Sequence, residues 1–103
     1  MADRLKLQEE LEEFLNSKNV YYQPPATIKM VYPAIVYSKS NIMTRYADNN
    51  VYTNMDCYEV IVIDKKPDNP VIKTILQHPY YICSYDRHYV SDNLHHDVLT
   101  IYY

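Results

Sequence analysis

The sequence predicts an α+β fold: one mainly antiparallel four-stranded sheet with an N-terminal helix and a second short helix packed on one face, in the order α-β-β-α-β-β. Three observations predict it. Leu7, Leu11 and Leu15 recur every four residues, which is one stripe of an amphipathic helix. The run Val60-Ile61-Val62-Ile63 has the continuous apolar character of a strand buried on both faces, and it ends at Lys65-Lys66-Pro67. Ser91-Asp92-Asn93 separates two β-rich segments with residues that tolerate positive φ, the chemistry of a tight hairpin.

Each element follows from local chemistry. Residues 3–18 form the first helix, with Phe14 and Leu5 beside the leucine stripe and Glu9, Glu10, Glu12 and Glu13 on the opposite face. Asp3 near its start and Lys18 near its end suit the helix dipole, and Asn19 is the expected C-terminal cap. Residues 20–30 read as a connector, because Pro24-Pro25 fits neither a helix interior nor a central strand. A strand is expected over 31–38, with Pro33 placing its start at an edge or bulge. A polar, turn-rich loop covers 39–50, and the longest strand covers 51–64. Asn69 and Pro70 form an N-cap and first helical residue for a short helix over 71–77, with Ile72, Ile75 and Leu76 inward and Pro79 stopping it. Residues 80–89 and 94–102 are the closing strands; in the second, Val98 is out of phase with Leu99 and Ile101.

Composition bounds the function. A chain of 103 residues is one domain, 1–103, with enough material for a single two-layer core. Hydrophobic residues at 48% and charged residues at 22% are those of a globular protein rather than a disordered one. The formal net charge is -3 and no basic run exists, which argues against specific nucleic-acid recognition, where clustered Lys and Arg neutralise phosphates. The apolar stretches fall short of a membrane span, and the N-terminus lacks the apolar core of a secretory signal. Cys57 and Cys83 therefore read as reduced, half-buried residues. Glycine is absent, so left-handed positions fall to Asn and Asp, and no glycine-rich phosphate cradle or glycine nucleophile elbow can form. Tyrosine occurs 13 times. Two readings stand side by side: Tyr as a strand-filling aromatic and Tyr as an interface residue.

Reactive constellations are sparse. Cys83, Asp86, His88, Asp92, His95, His96 and Asp97 crowd the C-terminal hairpin, but their spacing fits no common metal site. Adjacent His95 and His96 on a strand would point to opposite faces. Arg87 is expected to pair with Asp86, Asp92, Asp97 or a neighbouring subunit and so lock the hairpin. Asp64-Lys65-Lys66, with Asp48 and Asp56 upstream, is the single hook for a small metal-dependent nuclease, the alternative from a different functional class. Ser84 or Ser91 with His88 could be drawn as a hydrolytic set, yet common residue types do this by chance. The expectation is a protein without catalytic residues or cofactor.

Several segments carry a resemblance: Tyr22-Gln23-Pro24-Pro25, Tyr32-Pro33-Ala34-Ile35-Val36-Tyr37, Arg45-Tyr46-Ala47-Asp48-Asn49, Tyr58-Glu59-Val60-Ile61-Val62-Ile63-Asp64, and Asp86-Arg87-His88-Tyr89-Val90-Ser91-Asp92-Asn93-Leu94. In this order, over nearly the whole chain, they resemble the tail-terminator (tail-completion) proteins of tailed bacteriophages. That resemblance implies a subunit of a homo-hexameric ring. The ring would sit on the tail tube protein, stop its polymerisation and present a docking surface to the head-tail connector or another neck protein, with DNA passing through its lumen. It implies a location at the head-proximal end of the virion tail, after assembly in the host cytoplasm. The neighbouring connector and stopper roles are the alternative within this class. Candidate subunit or partner contacts are Arg45, Tyr46, Asp48 and Asn49 in the polar segment, and Asp86, Arg87, His88, Asp92 and Asn93 in the C-terminal hairpin.

Overall fold

The computed structural model describes residues 4–25, 28–47, 50–67, 69–78 and 82–102; residues 41–47, 50–55 and 82 are described by their backbone alone. The elements are α1 (Arg4–Leu15), β1 (Val20–Tyr22), β2 (Ala34–Ala47), β3 (Asn50–Asp64), α2 (Val71–Leu76), β4 (Ile82–Ser91) and β5 (Leu94–Tyr102). They build one mixed five-stranded sheet in the order β1-β2-β3-β5-β4.

Two expectations change here. The segment read as a connector contributes a fifth strand: Val20, Tyr21 and Tyr22 pair parallel to Ile35, Val36 and Tyr37. It stays short because Gln23 turns off at φ 43 while still donating its N–H to the Tyr37 carbonyl at 3.0 Å, and Pro24 follows. The sheet remains mainly antiparallel, since the other three pairings are. The segment read as a loop over 39–50 is strand almost throughout, because β2 runs to Ala47 and β3 starts at Asn50. Its polar residues misled because the segment is held as strand by backbone pairing between β2 and β3, which residues of any polarity can make. Asp48 and Asn49 lie outside the described residues.

The core fills one face. Leu7, Leu11 and Leu15 of α1 pack with Val71 and Ile75 of α2 over Ile35, Tyr37, Tyr58, Val60, Val62, Leu99 and Ile101. Leu7 and Leu11 are fully buried, each burial stabilising by about 1.5–3 kcal/mol. Leu5 is exposed, off the stripe, and Leu76 is exposed rather than inward. A polar set pins α1 to the sheet: the buried Tyr37 hydroxyl donates to Gln8 Oε1 and accepts from Arg4 at 3.3 Å, and Gln8 Nε2 donates to the Val20 carbonyl at 3.0 Å. Of the apolar run in β3, Val60, Val62 and Ile63 are buried and Ile61 is half-buried.

Helix ends follow the absence of glycine. Asn16, not Asn19, closes α1: it takes φ 56, its N–H reaches the Glu13 carbonyl and the Ser17 N–H reaches the Glu12 carbonyl, both at 3.1 Å. That is a left-handed C-terminal motif with Asn in glycine's place. At α2, Asn69 Oδ1 accepts from the Val71 N–H at 2.9 Å, and Pro70 sits at φ -65, already helical. Asp3 and Pro79 lie outside the described residues.

Candidate functional site

Two parts of the sheet, a projecting ribbon and an edge strand, carry the described residues that the sequence singled out. β5 stops pairing with β3 at Cys57–Tyr102, so the pairs from Ile42–Asp56 to Ala47–Asn50 stand beyond the body as a two-stranded ribbon. At about 3.3 Å per residue this adds on the order of 20 Å, and the molecule measures 50 × 27 × 23 Å. The ribbon leaves through a bulge at Ser40, whose hydroxyl donates to the Cys57 carbonyl at 3.1 Å; a bulge bends a strand and increases its twist. Lys39 and Asp56 pair across its base at 3.6 Å. Arg45 and Tyr46 lie on β2 near the far end of the ribbon.

The second surface is β4, an edge strand of ten residues. From Ser84 to Ser91 every residue is exposed, including the large apolar bodies of Tyr85, Tyr89 and Val90. Among the described residues no strand covers its outer edge. Asp92 and Asn93 form the two-residue turn to β5 with φ 52 and 62, the double positive-φ geometry that favours Asn and Asp. Their conformation thus accounts for both residue types. The turn lies at the end of the sheet opposite the ribbon, because β5 runs from Leu94 towards Tyr102 and the ribbon departs beside Tyr102.

A bulge at Asp86 organises this edge. Tyr85 pairs with Leu99 and Arg87 with Val98, leaving Asp86 as the extra residue, its carboxylate accepting from the Thr100 hydroxyl at 2.6 Å. Residues three apart on a regular strand face opposite sides. The extra residue resets the phase, so Tyr85 and His88 both face the helix side and both reach Asp97 Oδ1: the Tyr85 hydroxyl donates at 2.6 Å and His88 Nδ1 sits at 2.8 Å. His88 Nε2 in turn meets His95 Nδ1 at 3.2 Å. Asp97 is one of the few buried charged or polar residues, and the hydrogen bond to it pushes the Tyr85 phenol up to about 12. Burial, aided by the charge of Asp86, pushes the Cys83 thiol up to about 11, which leaves it protonated and unreactive at neutral pH. An open cleft of about 370 Å³ adjoins the relay, between Tyr85 and Asp97 on one side and Asn69, Pro70 and Ile72 at the start of α2 on the other.

The expected pairing of Arg87 with a carboxylate of its own hairpin does not form. Arg87 makes no ion pair with Asp86, Asp92 or Asp97 among the described residues; its guanidinium lies 5.8 Å from the Tyr89 ring centre on the other face, where Tyr89 also stacks on His96 at 4.6 Å. His95 and His96 do point to opposite faces, as alternation requires. The relay through Asp97 escaped sequence reading because it depends on the bulge. Asp64 is held in the turn after β3, accepting from the Lys66 N–H at 3.2 Å and from Asn69 Nδ2 at 2.9 Å. Among the described residues, none of the helices is long and apolar enough to cross a membrane. No family model matches the chain, and no curated protein matches it.

Proposed function

We propose that this protein is a structural ring component of a tailed-phage virion, a tail terminator that caps the tail tube and docks the head-side connector. The observation that carries this reading is a pair of unlike elements on one small sheet: the projecting ribbon that bears Arg45 and Tyr46, and the exposed β4 edge with Asp86, Arg87, His88 and the Asp92-Asn93 turn. A closed ring of identical subunits needs two different complementary patches on each subunit, one for each neighbour. An uncovered strand edge and a projecting ribbon are the elements by which chains add strands to one another. The motif order across the chain supports the same reading. In it the protein is non-catalytic and without cofactor; its partners are further copies of itself in a hexamer, the tail tube protein and a connector or neck protein, in the virion and, during assembly, the host cytoplasm.

Negative-stain imaging with mass determination tests this, on the purified protein alone and mixed with tail tubes from a terminator-defective assembly. The expected result is rings of about six copies or density on one tube end. A chain that stays monomeric and never binds tubes refutes it. Arg87→Ala is expected to impair assembly while leaving the monomer folded, because Arg87 contributes no ion pair to the hairpin; an oligomer distribution unchanged in light scattering removes Arg87 from the interface.

A further inference from the structure

The Asp97 relay ends in an arrangement that ring assembly does not require. His88 Nε2 and His95 Nδ1 face each other at 3.2 Å, with ring centroids 5.3 Å apart and the rings tilted by 36°. On its other side His88 Nδ1 lies 2.8 Å from the Asp97 carboxylate, which only accepts. That contact assigns the proton to Nδ1 and makes Nε2 the unprotonated nitrogen, which accepts from His95 Nδ1 in the metal-free protein; an ion bound between the two nitrogens takes the place of that shared proton. Two nitrogens each about 2.0–2.1 Å from a tetrahedral ion lie roughly 3.3 Å apart, close to the separation here. A carboxylate on the far nitrogen of a metal-binding imidazole fixes its tautomer and orientation and raises its basicity. Asp97 is placed for that role, and is itself held by the Tyr85 hydroxyl at 2.6 Å. The Asp97 side chain is 9% exposed and the His88 side chain 37%, so the orienting group is shielded while the nitrogen ligands have an open approach.

We propose that His88 Nε2 and His95 Nδ1 bind one transition-metal ion of the zinc class, with Asp97 and Tyr85 orienting His88. Two imidazoles select zinc, nickel or copper over calcium and magnesium, which take oxygen ligands. Among the described residues no group of three or more His, Cys, Asp and Glu gathers to hold a metal. Solvent therefore fills the remaining positions, and the ion is exchangeable rather than a closed structural centre. It braces β4 to β5 diagonally across the hairpin, since His88 pairs with Asp97 and His95 with Val90. The proposal stands independently of the ring reading.

Zinc titration of the untagged full chain by isothermal calorimetry at neutral pH tests it, with folding of every variant checked by circular dichroism. The wild type is expected to bind one equivalent. His88→Ala and His95→Ala should each weaken binding at least tenfold, and Asp97→Asn by roughly 10–100-fold. His96→Ala, whose ring lies on the opposite face, should bind as the wild type does. His95 is half-buried near the hairpin turn, so His95→Ala remains decisive if Asp97→Asn does not fold. Absence of saturable binding up to millimolar zinc overturns the site, as does equal affinity in the wild type and His95→Ala, or an equal loss in His96→Ala.

Discussion

Removing the Tyr85 hydroxyl and the Asp97 carboxylate, singly and together, measures the consequence of the bulge at Asp86. Asp97 is 6% exposed and receives a hydroxyl at 2.6 Å and an imidazole nitrogen at 2.8 Å. A hydrogen bond to a charged group contributes about 1.5–3 kcal/mol net. Both donors are partly solvated, Tyr85 being 43% exposed, so water replaces much of what each loses and the lower end applies. Asp97→Ala should therefore cost about 2–3 kcal/mol in urea unfolding, and Tyr85→Phe about 1 kcal/mol. In the double variant the costs should fall short of their sum by about 1 kcal/mol, because the same bond is lost in both singles. Arg87→Ala is the internal control: Arg87 faces the other side of the strand and should show no coupling to Asp97. Additive costs for Tyr85 and Asp97, or a coupling of Arg87 to Asp97 as large as that of Tyr85, would refute the phase reset that places Tyr85 on the helix face. Spectrophotometric titration gives a second readout, since Asp97→Ala should bring the Tyr85 phenol down from about 12 towards its ordinary 10.

Three further outcomes follow from the fold. Leu11→Ala, at a fully buried position in the middle of the α1 stripe, should cost about 2–5 kcal/mol by chemical denaturation, a large share of the total stability of a domain this size. Asn16→Gly should be neutral or stabilising and Asn16→Ala destabilising by about 1 kcal/mol, because φ 56 suits glycine and penalises a Cβ; equal melting points for the two variants would contradict the left-handed cap. Burial, with Asp56 close by, pushes the Tyr58 phenol from its ordinary 10 up to about 12. The fold prefers the neutral phenol, so the Tyr58 contribution is whole below pH 10 and is lost as pH rises to about 12. The loss is on the order of 2 kcal/mol across that window. Tyr58→Phe should flatten that part of the stability profile relative to the wild type.

Features that depend on neighbours along the chain were legible in the residues themselves. The leucine stripe of α1, the Asn69-Pro70 start of α2, the apolar run of β3 and the Asp92-Asn93 turn are each set by a periodicity or by one residue's backbone preference, and each stands where local chemistry puts it. Asn and Asp at three of the four positive-φ positions among the described residues follow directly from a chain without glycine. Tyr37 and Tyr58 fill the core as strand aromatics, while Tyr85 and Tyr89 stand exposed on β4. Other features depend on contacts between segments distant in the chain. β1 is three residues long and exists because β2 offers it an edge; no three-residue pattern announces a parallel partner 15 residues away. The ribbon arms, 41–47 and 50–56, continue as strand because each pairs with the other, although residues 39–50 read as loop from their polar composition. The Asp97 relay arises from one extra residue in β4, which turns two side chains of opposite phase to the same face. A bulge is a property of how two strands are registered against each other, and that register is fixed by packing across the sheet rather than by the residues of either strand alone.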